Sequence, residues 1–460
     1  MANTIIALAT PTGRSGIGVI RLSGADALRI TQILVGDAGF QPTPRTAFLR
    51  KLCDPKTGDM IDESIITYFK APHSFTGEDV VEISCHGSPV LLRQVTDLCL
   101  VLDARLAEAG EFTLRALGNG RIGLAEAEAI RDLIDAQTAN AAKQAVRQLR
   151  GELSHQITPL KDDLLAVIVV LESALEFVED DLPVAQLESV KNSLLRVLAE
   201  CERLAGTFHA GHLIREGLKV AIIGRPNVGK SSLFNALLGS ERAIVTDIEG
   251  TTRDQLHERF VVNGIPISLI DTAGLRETED VVESIGVERS RATMADADLI
   301  VLMLDASRQT SDEDRELLEA VKGLDYVIAL NKIDKVPATD VDQMVAGEHS
   351  SLSYLRDKIV PISAATGEGL DELKESMVRP FVNADVSGSG FLVTDARHHD
   401  LLVRTSSEIK DSILQFEDGT SEELVLVGLH NALRYLGEIT GETTTEDMLT
   451  QIFSTFCIGK

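Results

Sequence analysis

The chain has 460 residues, 44% of them hydrophobic, enough for two to four domains with sizeable cores. Its 71 acidic against 44 basic residues give a net charge of −27, which speaks against a broad nucleic-acid surface, because phosphate contacts need Lys and Arg. No run is long and apolar enough to span a membrane, no basic-then-apolar leader opens the chain, and Cys53, Cys85, Cys99, Cys201 and Cys457 form no CxxC pair. The expectation is a cytoplasmic protein with reduced thiols and no membrane segment.

In chain order, residues 1–118 mix strand-like runs (VIRLSG, IITYFKAP, DVVEISCHG) with a helix-like run at 89–100, predicting an α/β domain. The glycines of GRSGIG at 13–18 have GxxGxG spacing with no helix after them, and read as a turn before Val19 rather than a dinucleotide loop. From Gly123 the pattern becomes long and helical, with apolar residues every three to four positions and a buried bundle helix around 164–171. A second helical run covers 184–204, and helical patterning resumes near Thr394. The predicted organisation is an α/β domain (1–118), a helical domain in two parts (119–215 and 383–460) and a Ras-like P-loop G domain inserted between them (216–382), with hinges at 210–217 and 383–390.

The inserted segment carries the chemistry. Gly224-Arg225-Pro226-Asn227-Val228-Gly229-Lys230-Ser231 matches GxxxxGK[ST], between an apolar strand and a helix that continues through Ser232. Its glycines let the backbone N–H groups of 227–232 close around phosphates at a helix N-terminus. Lys230 is placed to neutralise the β- and γ-phosphates, and the Ser231 hydroxyl to bind Mg²⁺. Asp271-Thr272-Ala273-Gly274 follows an apolar strand; Asp271 suits a water-mediated metal contact and the Gly274 N–H a γ-phosphate sensor. Asn331-Lys332-Ile333-Asp334 follows another. A carboxylate at Asp334 accepts from guanine N1–H and the 2-amino group, a pair that adenine lacks, which selects GTP. Ser363-Ala364-Ala365 suits closure over the base.

Between these lies the switch segment TDIEGTTRD at 246–254. Thr252 is the choice for the second hydroxyl on Mg²⁺, with Thr251 the alternative. Leu275 stands where many small GTPases carry a water-orienting glutamine, so catalysis needs another group. Asn227 either shapes the loop or binds a monovalent cation beside the phosphates, where charge develops in the transition state.

With these residues placed, the chain resembles the bacterial tRNA-modification GTPase family MnmE (TrmE). GRPNVGKSS, AIVTDIEGTTRD, DTAGLRETED and NKID resemble its G-domain motifs, SFTGEDVVEISCHG and AGEFTLRALGNGRIGLAEAEAI its amino-terminal segments, and EITGETTTEDMLTQIFSTFCIGK its terminal signature. The resemblance implies a K⁺-dependent GTPase and homodimer. Asn227, Thr246, Ile248 and Thr251 would serve K⁺, Ser231 and Thr252 Mg²⁺, and Glu283 would position water, with Lys230 and Thr252 sharing catalysis. It further implies addition of an aminomethyl or carboxymethylaminomethyl group at carbon 5 of the tRNA wobble uridine, in a heterotetramer with an FAD-containing partner, MnmG. The carbon would come from 5-formyl- or methylene-tetrahydrofolate and the nitrogen from ammonium or glycine. Arg21, Glu82, Arg121 and Lys460 fall on the family's folate positions; where Arg121 stands the family often has lysine, and a planar fork replaces a point charge. Cys457 is either a functional thiol near that site or a packing residue.

Two other function classes compete. A ribosome-assembly switch would carry a basic RNA-binding surface, which the acidic balance disfavours. A membrane-associated mechanochemical GTPase would carry a basic amphipathic helix, which the sequence lacks.

Overall fold

The computed structural model describes residues 3–176, 184–240, 258–270, 296–346, 353–381, 390–418, 421–442 and 446–459. They belong to two compact units: Met1–Ile134 with Arg147–Leu194 and Glu408–Lys460, and Asp135–Val146 with Leu195–Ser407.

The first unit opens with six strands, β1 (Ile5–Leu8), β2 (Ile17–Ser23), β3 (Ala47–Cys53), β4 (Met60–Phe69), β5 (Val80–His86) and β6 (Arg105–Leu106), in the sheet order β3-β4-β5-β2-β1-β6. Neighbours are antiparallel, except that β1 and β6 run parallel. Strand alternation sorts the side chains. Ile20, Leu22, Ile66, Val81 and Ile83 enter a core closed by helices α1 (Ala27–Val35) and α2 (Pro89–Val101). Arg21 and Glu82 belong to the opposite face, and the β2–β5 register sets them directly across from each other. Helix α3 (Glu111–Gly118) follows and buries Phe112.

The long helical pattern after Gly123 is three helices, α4 (Leu124–Asp135), α5 (Ala139–Leu149) and α6 (Glu152–Glu176). The breaks have local causes. Thr138 Oγ1 accepts from the Ala141 N–H at 3.1 Å, starting a new helix, and Gly151 takes φ 79°, which a continuous helix cannot absorb. Along α6, Leu153, Ile157, Leu160, Leu164, Val167 and Leu171 recur every three to four residues and are buried.

Helix α7 (Val184–Gly206) is followed by α8 (Phe208–Glu216), where the sequence suggested a hinge. Residues 210–217 are not a hinge in the structure. Leu213 and Ile214 are buried, and a Cβ on Gly211 would stand 2.1 Å from the Val393 carbonyl oxygen. That glycine allows close packing rather than bending. The counterpart at 383–390 lies outside the described residues apart from Gly390.

The second unit then builds a sheet from β7 (Leu218–Gly224), β8 (Glu258–Val262), β9 (Ile265–Ile270), β10 (Leu299–Asp305), β11 (Tyr326–Asn331) and β12 (Ile359–Pro361), ordered β12-β11-β10-β7-β9-β8. All pairs are parallel except β8–β9. The strands β10 and β11 are buried at every position, as parallel strands covered on both faces are. Their covers include α9 (Lys230–Ser240), α10 (Asp312–Ala320), α11 (Ala338–Ala346) and α12 (Leu370–Val378). After β7 the chain runs to the sheet edge as β8, returns beside β7 as β9, and then builds on the other side through β10. The carboxyl end of β7 is therefore a topological switch point, where such sheets bind ligands.

Helices α13 (Ala396–Glu417), α14 (Glu422–Thr440) and α15 (Glu446–Ser454) complete the chain's described elements. Val425, Leu429, Ala432, Leu436 and Ile439 give α14 a buried stripe, and α14 packs on α6. Helices from either side of the nucleotide-binding segment thus share one core. No helix among the described residues is long and apolar enough to cross a membrane.

Candidate functional site: a nucleotide cradle and an arginine–glutamate pair

The loop between β7 and α9 occupies the switch point. Gly224 and Gly229 take φ 153° and 107°, and Asn227 takes φ 60°, a left-handed conformation that Asn tolerates better than most residues. Asn227 therefore shapes the loop whatever its side chain binds. A Cβ on Gly229 would stand 2.3 Å from Asn331 Nδ2, and one on Gly224 2.8 Å from the Met303 carbonyl oxygen. Only glycine leaves this cradle open, which fits the backbone-to-phosphate approach that the motif requires. Lys230, Ser231 and Ser232 form the first turn of α9, whose N–H groups lack intrahelical partners by position. Lys230 Nζ donates to the carbonyls of Gly224 at 2.7 Å and Arg225 at 2.8 Å, and burial pushes its ammonium below the usual lysine value. That desolvated cation suits phosphate oxygens.

The residues expected to read the base converge on the same loop. Asn331 is only 2% exposed. Its Nδ2 donates to the Val228 carbonyl at 2.8 Å, and its Oδ1 accepts from the Ala364 N–H at 3.0 Å. One amide thus ties the phosphate loop to the 363–365 loop. Lys332, at φ 69°, donates from Nζ to the Asn227 carbonyl and to Asp305 Oδ2, both at 2.7 Å. Burial would raise the Asp305 carboxyl, but Lys332 and Ser307 outweigh it and hold it below the usual value. Exposed Asp334 accepts at Oδ1 from Ser363 Oγ at 2.7 Å, which aims the carboxylate; Ala365 is also exposed. Asn227, Val228, Gly229, Lys230, Ser231, Asn331, Lys332, Asp334, Ser363 and Ala364 thereby lie in one connected set of loops. Thr246, Ile248, Thr251, Thr252, Asp271, Thr272, Ala273, Gly274 and Glu283 lie outside the described residues.

Two supporting carboxylates escaped the sequence reading. Asp305 ends β10, and Asp314 pairs with Arg225 of the phosphate loop. Ser311-x-x-Asp314 is a capping-box pattern, so the start of α10 was legible; the partner of Asp314 was not.

In the first unit, Arg21 donates to Glu82 Oε1 from Nε at 2.9 Å and Nη2 at 2.7 Å. Its Nη1 reaches the Gly459 carbonyl at 3.3 Å, and its guanidinium lies 5.8 Å from the Phe112 ring centroid. The tail is held there by its backbone. Ile458 bridges Ala109, the Gly110 N–H donates to the Cys457 carbonyl at 3.4 Å, and a Cβ on Gly459 would stand 2.5 Å from the Leu8 carbonyl oxygen. Arg121 is exposed, its stem beside Gly77. Lys460 lies outside the described residues. Cys457 is exposed, so it is not a packing residue.

A parallel sheet with a phosphate loop at its switch point and an Asn-Lys-x-Asp loop bonded to it defines a P-loop GTPase, an enzyme that hydrolyses GTP and takes it with Mg²⁺. Comparison with known proteins narrows this. The family described as MnmE helical domain matches residues 124–457, and that described as GTP-binding protein TrmE N-terminus matches 4–121. Proteins named tRNA modification GTPase MnmE from Aquifex aeolicus and Koribacter versatilis are each 44% identical, over 100% of this chain and 100% and 99% of theirs. One from Clostridioides difficile is 42% identical over 100% of this chain and 99% of its own. The chain belongs to the tRNA modification GTPase MnmE family. Among solved structures, Era in complex with MgGDPNP and a segment of 16S ribosomal RNA is similar at 29% identity, covering 42% of this chain and 66% of that one with a TM-score of 0.28. The FeoB G-domain of Methanococcus jannaschii is similar at 26%, covering 36% and 97%, with a TM-score of 0.26.

Proposed function

We propose that this GTPase serves the addition of an aminomethyl or carboxymethylaminomethyl group to carbon 5 of the tRNA wobble uridine. In this reading it works in the cytoplasm as a homodimer, together with an FAD-containing partner of the MnmG type. The observation that carries the reading is the meeting of Arg21, Glu82 and the Gly459 carbonyl on one sheet face. A carboxylate beside a guanidinium suits an edge that carries paired N–H donors next to a carbonyl oxygen, as the pterin of a folate does. A tetrahydrofolate derivative bound there supplies the one-carbon unit. Glu82 would accept from the pterin edge with Arg21 beside it at the same end, and Arg121 and Lys460 would meet the carboxylates; the pairing of Arg21 with Glu82 places it away from the carboxylate end that the resemblance implies for it. To do so, Arg21 and Glu82 exchange part of their mutual pairing for contacts to the ligand.

In the G domain, Lys230 neutralises the β- and γ-phosphates while Ser231 and Thr252 give their hydroxyls to Mg²⁺, with Asp271 acting through water. Asp334 reads guanine, flanked by Ser363, Ala364 and Ala365. Asn227, Thr246, Ile248 and Thr251 hold K⁺, which takes the charge-stabilising role of an arginine finger. Glu283 orients the attacking water in place of the glutamine absent at Leu275.

The test is deletion of residues 458–460. Mass analysis of tRNA nucleosides from a deletion strain should show the modified uridine restored by the intact chain and not by the truncated one. Titration with 5-formyltetrahydrofolate should show binding only to the intact protein, with GTP hydrolysis unchanged. Equal folate binding by both proteins would refute the site.

A further inference from the structure

The phosphate loop is gripped from the side by a pair that its motif does not require. Arg225, the second residue of GRPNVGKS, sends Nε to Asp314 Oδ1 at 2.7 Å. Asp314 is 2% exposed. Its other oxygen accepts from the Ser311 N–H at 2.9 Å and Ser311 Oγ at 3.0 Å, while the Asp314 N–H donates back to Ser311 Oγ at 3.2 Å. One carboxylate thus closes the N-terminus of α10 and holds the phosphate loop.

The cap alone does not explain the arginine, because Ser311 and Asp314 complete a capping box by themselves. A solvated surface pair does not explain it either, because a carboxylate this buried needs its cation. The fixed side chain also fixes the main chain that bears it. The Arg225 carbonyl accepts from Lys230 Nζ at 2.8 Å, and the loop then passes through Pro226, with its locked φ, to Asn227 at φ 60°.

We infer that Asp314 is a positioning residue for GTP binding and hydrolysis: through Arg225 it anchors the phosphate loop to α10 and presets the carbonyl on which Lys230 rests. The anchor costs the nucleotide nothing to form, since it stands within the protein itself. Its loss would leave the loop to be ordered by the nucleotide, at the expense of affinity.

The test uses the full chain. Asp314→Asn keeps an oxygen for Ser311 and removes the charge that meets Arg225; Arg225→Ala and Arg225→Lys alter the other partner. Fluorescent-GDP affinity, KM and kcat for GTP, and melting temperature are read for each variant and for the Asp314→Asn/Arg225→Ala double variant. Asp314→Asn should weaken GDP binding and raise KM on the order of tenfold, the scale of one charge-assisted hydrogen bond, with kcat lowered less. In the Arg225→Ala background the same change should add less than about twofold, as a shared interaction requires. Arg225→Lys should fall between wild type and Arg225→Ala. Should Asp314→Asn fail to fold, the Arg225 variants carry the test, because they leave the cap in place. Unaltered GDP affinity in a folded Arg225→Ala protein overturns the inference, as does an Asp314→Asn effect of equal size with and without Arg225.

Discussion

Replacing Asn331 with alanine tests whether one amide holds the nucleotide cradle together. The side chain is 2% exposed and makes one hydrogen bond to the Val228 carbonyl and one from the Ala364 N–H. Alanine strands both backbone groups. Each stranded group costs about 1–3 kcal/mol, and entering water softens the sum to roughly 2–4 kcal/mol. If the two loops it joins hold the phosphates and the base as proposed, about half of that loss should fall on binding. That is roughly 1–2 kcal/mol, or about a 5- to 30-fold weaker fluorescent-GDP affinity. The remainder should lower the melting temperature by about 2–8 °C for a unit of this size. A Cβ on Gly229 would lie 2.3 Å from Asn331 Nδ2, so Gly229→Ala must displace that amide as well as strain φ 107°. In the Asn331→Ala background only the strain remains, and the double variant should be more stable than the sum of the singles predicts. Affinity within twofold of wild type, or strictly additive stabilities, would refute the reasoning.

GTP turnover should rise markedly in K⁺ over Na⁺ at equal ionic strength, and Asn227→Ala should abolish the difference while leaving nucleotide binding largely intact, apart from the modest strain of alanine at φ 60°; equal rates in both salts would remove the cation from the mechanism. Asp334→Asn should shift preference from GTP toward xanthosine triphosphate, because the new amide donates to the xanthine 2-oxygen, and competition binding reads the change. The last concerns Asp395, which Arg215 meets at 2.6 Å beside His398. Burial alone would raise this carboxyl, yet His398, Arg215 and the Arg397 N–H depress it well below its ordinary value of 3.8. A depressed carboxyl stabilises the fold above its unfolded pKa and loses that contribution as pH falls through the folded value. Urea melts should therefore show wild type more stable than Asp395→Asn near neutrality by roughly 3 kcal/mol, with the gap narrowing below about pH 4; a gap constant with pH would contradict the linkage.

What could be read from the sequence was what is local in it. The phosphate loop lies within eight consecutive residues, and its flanking strand and helix are as contiguous, so spacing alone located Lys230 and Ser231. The Asn331–Asp334 turn after an apolar strand was legible for the same reason. The contact of Asn331 with Val228 spans 103 positions, and that of Arg225 with Asp314 spans 89, and no periodicity marks either. Arg21 and Glu82 were singled out by resemblance, but their mutual pairing depends on the register of β2 on β5, which hydrophobic alternation leaves open by steps of two. The expected hinge at 210–217 falls mostly within a helix, in which Gly211 serves the close approach of residue 393, a partner 182 positions away that the local sequence does not show.

The strap between Gly459 and Arg21 has a consequence for how the protein is made. It joins residues 438 positions apart. At ordinary rates of translation, roughly 20–90 s separate the emergence of one partner from that of the other. The residues of the Arg21–Glu82 pair are both made early, whereas the partner of Arg21 at Gly459 follows only after the nucleotide-binding segment. A chain released early would carry a complete phosphate loop yet lack the strap. The contact between Arg21 and Gly459 is therefore made only after the nucleotide-binding segment has been synthesised.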